Sequence, residues 1–188
     1  WQSFGMMQAM TLADYLSQNP KTHLIFDFDE TIARLEIDWS QWFVGMAKIY
    51  AQFELSQNQV PTDEHRKYNY YAGKFAPSLV SKTKEFSNKY EKERRTGFTP
   101  CPEIVNFLVQ DEDSQLYLYS SNARDTIQAG LKDLGLEGVF EKLVTRDDVS
   151  YIKPDPEGFG LIYDPQVPKE NYLMVGNSSA DEGMAEAA

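Results

Sequence analysis

The chain predicts an α/β fold: a doubly wound parallel sheet, interrupted by an all-helical insertion. Three observations carry this. Short strand-length runs at Leu24–Phe26, Leu116–Tyr119, Lys142–Thr145 and Tyr172–Val175 alternate with helix-period segments, the grammar of a parallel sheet. Between Asp38 and Arg95 no β-alternation occurs, and apolar residues recur instead at three- and four-residue steps. Three of the runs also end in polar residues, at Asp27-Phe28-Asp29, Ser120-Ser121-Asn122 and Gly176-Asn177-Ser178. In an open parallel sheet ligands bind outside the carboxyl ends of the strands, so these endings converge on one candidate site.

Taken in order, Thr11 with Asp14 three residues on predicts a helix N-cap, and Asn19-Pro20 closes that segment. "LIF", Leu24 to Phe26, reads as a strand buried on both faces. Trp39, Trp42, Phe43, Met46, Ile49, Tyr50 and Phe53 form the stripe of an amphipathic helix. Thr62 is the expected cap of a second helix carrying Tyr68 and Tyr71, and Leu79, Val80, Thr83, Phe86 and Tyr90 mark a third. A helix with Ile104, Val105, Phe107 and Leu108 leads to "LYLY". The next, with Ile127, Leu131 and Leu134, stops at Gly135. "KLVT" and "YLMV" complete the strands. The predicted division is a core of residues 1–33 and 96–188 with a helical cap of residues 34–95.

At 188 residues, 41% hydrophobic and 25% charged, the composition is globular, and the length suits one domain with a small insertion. The net charge of -11 opposes nucleic acid and anionic membranes as partners, which leaves a small ligand. Cys101 is the single cysteine, so neither an intrachain disulfide nor a Cys-rich zinc site can form; a buried structural thiol is expected. Met6, Met7, Met10, Leu12 and Leu16 follow no basic segment and are interrupted by Gln8, Asp14 and Gln18, and no run approaches a membrane span. The expectation is a soluble, cytoplasmic protein, with Trp1 at the head of the chain marking a trimmed start.

Asp27 and Asp29, two apart in extended chain, point the same way while Phe28 packs behind them. Two close carboxylates repel and resist desolvation, and a divalent cation relieves both costs; hard oxygen donors suit magnesium. Asp181, four residues beyond Asn177, offers another oxygen. Lys153, in "YIKPDP", is presented by backbone that Pro154 and Pro156 stiffen.

"DFDET", "YSSN", "IKPDPEGF" and "VGNSSAD", in this order, resemble the four motifs of the haloacid dehalogenase superfamily, in its phosphatase branch. The resemblance runs from about Phe26 to the end of the chain. It implies a Rossmann-like core whose insertion is a small α-helical cap. It further implies Asp27 as the nucleophile that forms an aspartyl-phosphate, and Asp29 as the general acid and base. Ser121 and Lys153 match the groups that hold the phosphoryl oxygens, with Asn122 beside them; Thr31 matches a residue that steadies the Asp29 loop and flanks the substrate. Magnesium would sit on the Asp27 carboxylate, the main-chain carbonyl of Asp29, Asn177 and the acidic loop near Asp181. Two departures stand out. Asparagine replaces the usual aspartate at Asn177, which implies weaker magnesium binding, and the chain ends at Ala188 soon after the fourth motif, so the sheet is expected to lack its last strand.

Each residue also has a plainer role. Asp27 and Asp29 would otherwise be capping residues of a solvated turn, Lys153 a surface lysine, and Ser121 or its rival Ser120 a helix cap. Asp181 would be an N-terminal helix acid. His23 and His65 are taken as structural or exposed, and "EKERR", Glu91 to Arg95, as a solvated helix face. Arg34 and Arg124 lie close to the first two motifs but are expected in surface ion pairs. The function that follows is a magnesium-dependent phosphatase acting on a small phosphorylated metabolite, since a helical lid excludes bulky polymers. A phosphomutase and a non-catalytic phosphate-binding protein are the alternatives.

Overall fold

The computed structural model describes residues 10–53 and 60–188. Met6, Met7 and Gln8 lie outside the described residues, as do the start of the predicted core at residue 1 and residues 54–59 of the predicted cap. The core is a parallel sheet of four strands: β1 (His23–Phe26), β4 (Gln115–Tyr119), β5 (Lys142–Val144) and β6 (Tyr172–Val175), in the order β5-β4-β1-β6. β2 (Ala33–Glu36) and β3 (Gly97–Pro100) form a separate antiparallel ribbon. The predicted α/β class and parallel sheet are therefore present.

β1 is buried on both faces because its side chains alternate between two apolar layers. Leu24 and Phe26 join Leu116, Leu118, Ile127 and Leu131 on one side; Ile25 joins Tyr119, Val144, Phe159 and Met184 on the other. Phe26 is in register with Leu118 and with Val175, and Tyr119 with Val144. Asp27, Ser120 and Gly176, each one residue past its strand, therefore emerge at the same edge of the sheet. The ladder extends one step further there, Asp27 N–H donating to Val175 C=O at 2.9 Å and Ser120 N–H to Val144 C=O at 3.0 Å.

α1 (Leu12–Gln18) starts at the predicted capping box of Thr11 and Asp14. α5 (Pro102–Gln110) and α6 (Arg124–Asp133) cover the sheet between β3 and β5, and Gly135, at φ 68°, takes the left-handed turn that ends the second of them. α7 (Glu157–Ile162) and α8 (Ser179–Ala187) complete the layers. Cys101 is the N-cap residue of α5 and only half-buried, which corrects the expected buried thiol: a cap stands at a helix end, beside solvent.

Among the described residues, three helices lie between the strands of the ribbon: α2 (Ser40–Tyr50), α3 (Glu64–Phe75) and α4 (Ser78–Arg94). Asp63, not Thr62, caps α3, its carboxylate accepting from Arg66 N–H at 2.9 Å; a charged acceptor also complements the positive end of the helix. Phe53 lies past the end of α2, in the turn that follows. Met46 and Tyr50 of α2, Tyr68 and Tyr71 of α3 and Leu79 of α4 are buried in the same apolar layer as Ile152 and Met184 of the core. The ribbon is unforeseen. In "ARLE", Ala33 and Leu35 are buried while Arg34 and Glu36 face outward, a period of two too short to stand out beside the helical pattern that follows.

Candidate active site

The helical insertion lies over the sheet edge, and a cavity of about 290 Å³ sits between them. Of the residues singled out in the sequence, Asp27, Asp29, Ser121, Asn122, Lys153 and Asn177 all line it. Thr31 and Asp181 do not.

Lys153 is 2% exposed, and its ammonium Nζ donates to Asp27 Oδ1 at 2.7 Å, to Asp181 Oδ1 at 2.5 Å and to the Tyr119 carbonyl at 3.0 Å. One cation thus serves two buried carboxylates. Burial raises the Asp27 carboxyl above its ordinary range, only partly offset by Lys153. Asp181 is likewise opposed by burial, but Lys153 and Ser178 together outweigh it and hold the carboxyl low. Asp181 is the N3 residue of a capping box at the start of α8, its Oδ2 accepting from Ser178 N–H at 3.0 Å and Ser178 Oγ–H at 2.6 Å. Both oxygens are so engaged that Asp181 holds Lys153 and the β6 loop together from behind the cavity wall. Gly176 makes this approach possible: a Cβ there would lie 2.5 Å from Asp181 Cγ.

Asp29 follows on a tight turn. Glu30 adopts φ 60°, the left-handed region, and its N–H donates to Ala33 C=O at 3.1 Å, so the chain folds back on itself. Asp29 Oδ1 accepts from Leu35 N–H at 2.8 Å, and burial pushes its carboxyl up to about 6. Thr31 is buried in that turn, its hydroxyl without a hydrogen-bond partner, and touches the site only through the turn.

After β4, Ser120 and Ser121 take different roles. Ser120 Oγ–H donates to Asn122 Oδ1 at 3.0 Å and its oxygen accepts from Asn122 N–H at 3.2 Å, closing a local turn. The Ser121 hydroxyl is buried, has no partner and lies on the cavity wall. Asn122 is thus a bracing residue of the loop as well as a lining residue. Arg34 and Arg124 pair with Glu36 at 3.2 Å and Asp148 at 2.5 Å, away from the cavity, as expected.

Three lining or supporting groups were missed by sequence. His65, in the first turn of α3, lines the cavity; burial, with Lys153 nearby, lowers its imidazole below the usual range. Glu91, assigned to a solvated helix face, is fully buried. It pairs with Arg146 at 2.6 Å and accepts from Ala123 N–H at 2.9 Å. Arg146 in turn donates to the Ser121 carbonyl at 2.7 Å and to Asn88 Oδ1 at 2.9 Å, so α4 and the Ser121 loop are fastened together. His65, Glu91 and Arg146 stand 38, 64 and 119 residues from Asp27 in sequence, and only folding brings them near.

The donor set fits a hard divalent cation. Asp27, Asp29, Glu30 and Glu64 line the cavity against the cations Lys153 and Arg146, and the charge of Arg146 is already taken by Glu91. Asp27 and Asp29, both held up by burial, are carboxylates short of positive charge. Among the described residues no three His, Cys, Asp or Glu side chains gather as a metal centre, so amide and main-chain oxygens, Asn177 among them, would complete the set.

Residues 24–188 match the model of the haloacid dehalogenase-like hydrolase family. A pyrophosphatase, PpaX of Listeria welshimeri, is 31% identical over 99 residues, 52% of this chain and 45% of that protein; the match thus spans less than half of this relative's length. Among solved structures, a protein from Bacteroides fragilis described as a haloacid dehalogenase-like hydrolase superposes with a TM-score of 0.57 at 21% identity, covering 89% of this chain and 83% of the other. The YfnB hydrolase of Bacillus subtilis, bound to magnesium, does so at 0.52 and 17%, with the same coverage. At such identities the superpositions establish the fold. The family match begins within β1, runs through α8 and takes in every residue group that meets at the sheet edge: the chain belongs to the haloacid dehalogenase-like hydrolases.

Proposed function

We propose that the protein is a magnesium-dependent phosphatase that releases phosphate from a small phosphate monoester through an aspartyl-phosphate on Asp27. The observation that carries this reading is the pairing of Asp27 with Lys153 beside the unpartnered Ser121 hydroxyl, on one cavity wall. With Oδ1 bonded to Lys153, Asp27 attacks phosphorus through Oδ2. The bond from phosphorus to the ester oxygen breaks, its electron pair goes to that oxygen, and Asp29 supplies the proton. A carboxyl at about 6 suits this acid role near neutral pH. Asp29 then takes a proton from water, whose oxygen attacks phosphorus and frees Asp27 and inorganic phosphate.

Lys153 and Ser121 would hold the phosphoryl oxygens through both steps. The Asp27 carboxylate, the Asp29 carbonyl and Asn177 would hold magnesium, which supplies charge neutralisation of the phosphoryl group. The magnesium-bound hydrolase of the same fold and the pyrophosphatase relative support this reading. The net charge of -11 argues against nucleic acid as substrate, and among the described residues no helix is long and apolar enough to cross a membrane.

The test is phosphate release across a panel of small esters with magnesium titrated into the millimolar range. Release that depends on magnesium and vanishes in Asp27→Asn is expected. Asn177→Asp, which adds a negative charge to the donor set, should lower the magnesium concentration for half-maximal rate by about tenfold. Undiminished release from Asp27→Asn would refute the nucleophile assignment.

A further inference from the structure

We propose that the alcohol carried by the substrate is aromatic, so that the cavity takes phosphate monoesters of ring-bearing alcohols and stacks the ring against the start of α2. This rests on the phosphatase reading and names its substrate class.

The cavity lining divides into two unlike sets. Asp27, Lys153 and Ser121 are polar; Trp39, Trp42, Phe43 and Met46, from α2 and its N-cap, are apolar, as are Ile152 and the ring of Tyr68. Trp39 and Trp42 meet edge to face at 5.7 Å, and Trp42 and Phe43 do so at 5.2 Å. One face of Trp39 stacks on Tyr90 at 6.4 Å, and an edge-to-face contact covers one face of one ring only, so the cluster keeps ring surface for a further partner. Phe43 is 51% exposed although it lines the cavity, an apolar cost that a bound ring would relieve.

Several polar groups of the lining are already engaged. Ser87 Oγ accepts from Trp42 Nε1–H at 2.9 Å, and Thr83 Oγ–H donates to the Leu79 carbonyl at 2.9 Å. Glu64 accepts from Tyr50 at 2.9 Å and from Lys67 at 3.0 Å, and Tyr68 donates to the Ser150 carbonyl at 3.1 Å. A sugar would have to break such bonds to satisfy its hydroxyls, whereas an aromatic ring asks for none. A second phosphoryl group fares worse. Lys153 is shared by Asp27 and Asp181 and Arg146 is paired with Glu91, which leaves Arg146 Nε as a single unpartnered donor, so the added charge would meet Glu30 with little positive charge to spare. At about 290 Å³ the cavity stands just below the roughly 300–1,000 Å³ of small-molecule sites, a size that suits one ring and a phosphoryl group.

Binding of benzylphosphonate and of methylphosphonate to the magnesium-loaded protein tests this by calorimetry. Neither has an ester bond to break, so the readout does not depend on turnover. Benzylphosphonate should bind tighter by about tenfold or more, the gain expected when a phenyl ring leaves water. The ratio should fall to within about threefold in Phe43→Ser and in Trp42→Leu; Phe43, half-exposed, can be changed with little risk to folding. Equal affinities, or no binding of either at millimolar concentration, overturn the inference. In parallel, phosphate release from benzyl phosphate is compared with release from glucose 6-phosphate and pyrophosphate. Equal rates on all three overturn the aromatic preference and leave the phosphatase standing. No release from any, with benzylphosphonate still preferred, overturns the phosphatase and keeps the aromatic site.

Discussion

Lys153→Met removes the one ammonium that serves two buried carboxylates, and its cost follows from the contacts. Nζ gives up charge-assisted bonds at 2.7 Å to Asp27 and 2.5 Å to Asp181, each worth about 1.5–3 kcal/mol. Breaking a buried pair by deleting one partner costs about 3–5 kcal/mol, because the partner is left charged and unpaired. The expected loss at pH 8 is therefore about 3–5 kcal/mol, a large part of the 5–15 kcal/mol that stabilises an ordinary domain. Its pH dependence has a definite sign. Burial already raises Asp27, and Asp181 is held low only while Lys153 and Ser178 outweigh burial, so without the lysine the folded-state values of both lie higher. A carboxyl raised in the folded state gives its full stability below its unfolded value, and loses it as pH rises through the folded value. The penalty should be smaller at pH 5 than at pH 8, and Asp181→Asn in the Lys153→Met background should restore about 1–3 kcal/mol at pH 8. Urea unfolding of the four chains of this cycle, with chelator present, measures all three quantities. A penalty below about 1 kcal/mol at pH 8, or one unchanged between the two pH values, would refute the reasoning.

Two further substitutions test the surroundings. Asp29 stands at about 6 against an ordinary 3.8, so its ionisation takes stability away as pH rises from the lower value to the higher, and the full penalty stands above pH 6. In chelator, Asp29→Asn should stabilise the protein by on the order of 2 kcal/mol at pH 8 and by almost nothing at pH 3.5, while phosphate release falls about a hundredfold or more; thermal unfolding at both pH values and a release assay check this. Glu91→Gln keeps an acceptor for the Ala123 N–H but strips Arg146 of its counterion. It should cost about 3 kcal/mol in urea unfolding, and Arg146→Met added to it should recover part of that loss. If Glu91→Gln is neutral, the fastening of α4 to the Ser121 loop is not electrostatic.

The strands were legible because each is a short apolar run bounded by turn residues, and the parallel sheet because helices separate them. Asp27, Asp29, Ser121, Asn122, Lys153 and Asn177 were legible because they sit at strand ends or in motif loops, where local spacing fixes which edge they reach. The ribbon of β2 and β3 was not, since four residues of alternation pair with a segment about 60 positions away, and nothing local announces the partner. The same holds for His65 and for Glu91 with Arg146. A histidine in the first turn of a helix and a glutamate in a charged run look solvated until another element packs over them.

The sequence by itself determined the fold class, the edge of the sheet where polar groups gather and the residues that strand ends deliver to it, because strand period, turn chemistry and motif spacing are local properties of the chain. Tertiary structure alone decided the partners: that Lys153 is shared between Asp27 and Asp181, that Ser121 and not Ser120 presents a free hydroxyl, and that Trp39, Trp42 and Phe43 line the same cavity. Those outcomes depend on burial and on distances between residues remote in sequence. Desolvation and pairing act on groups only once packing has brought them together.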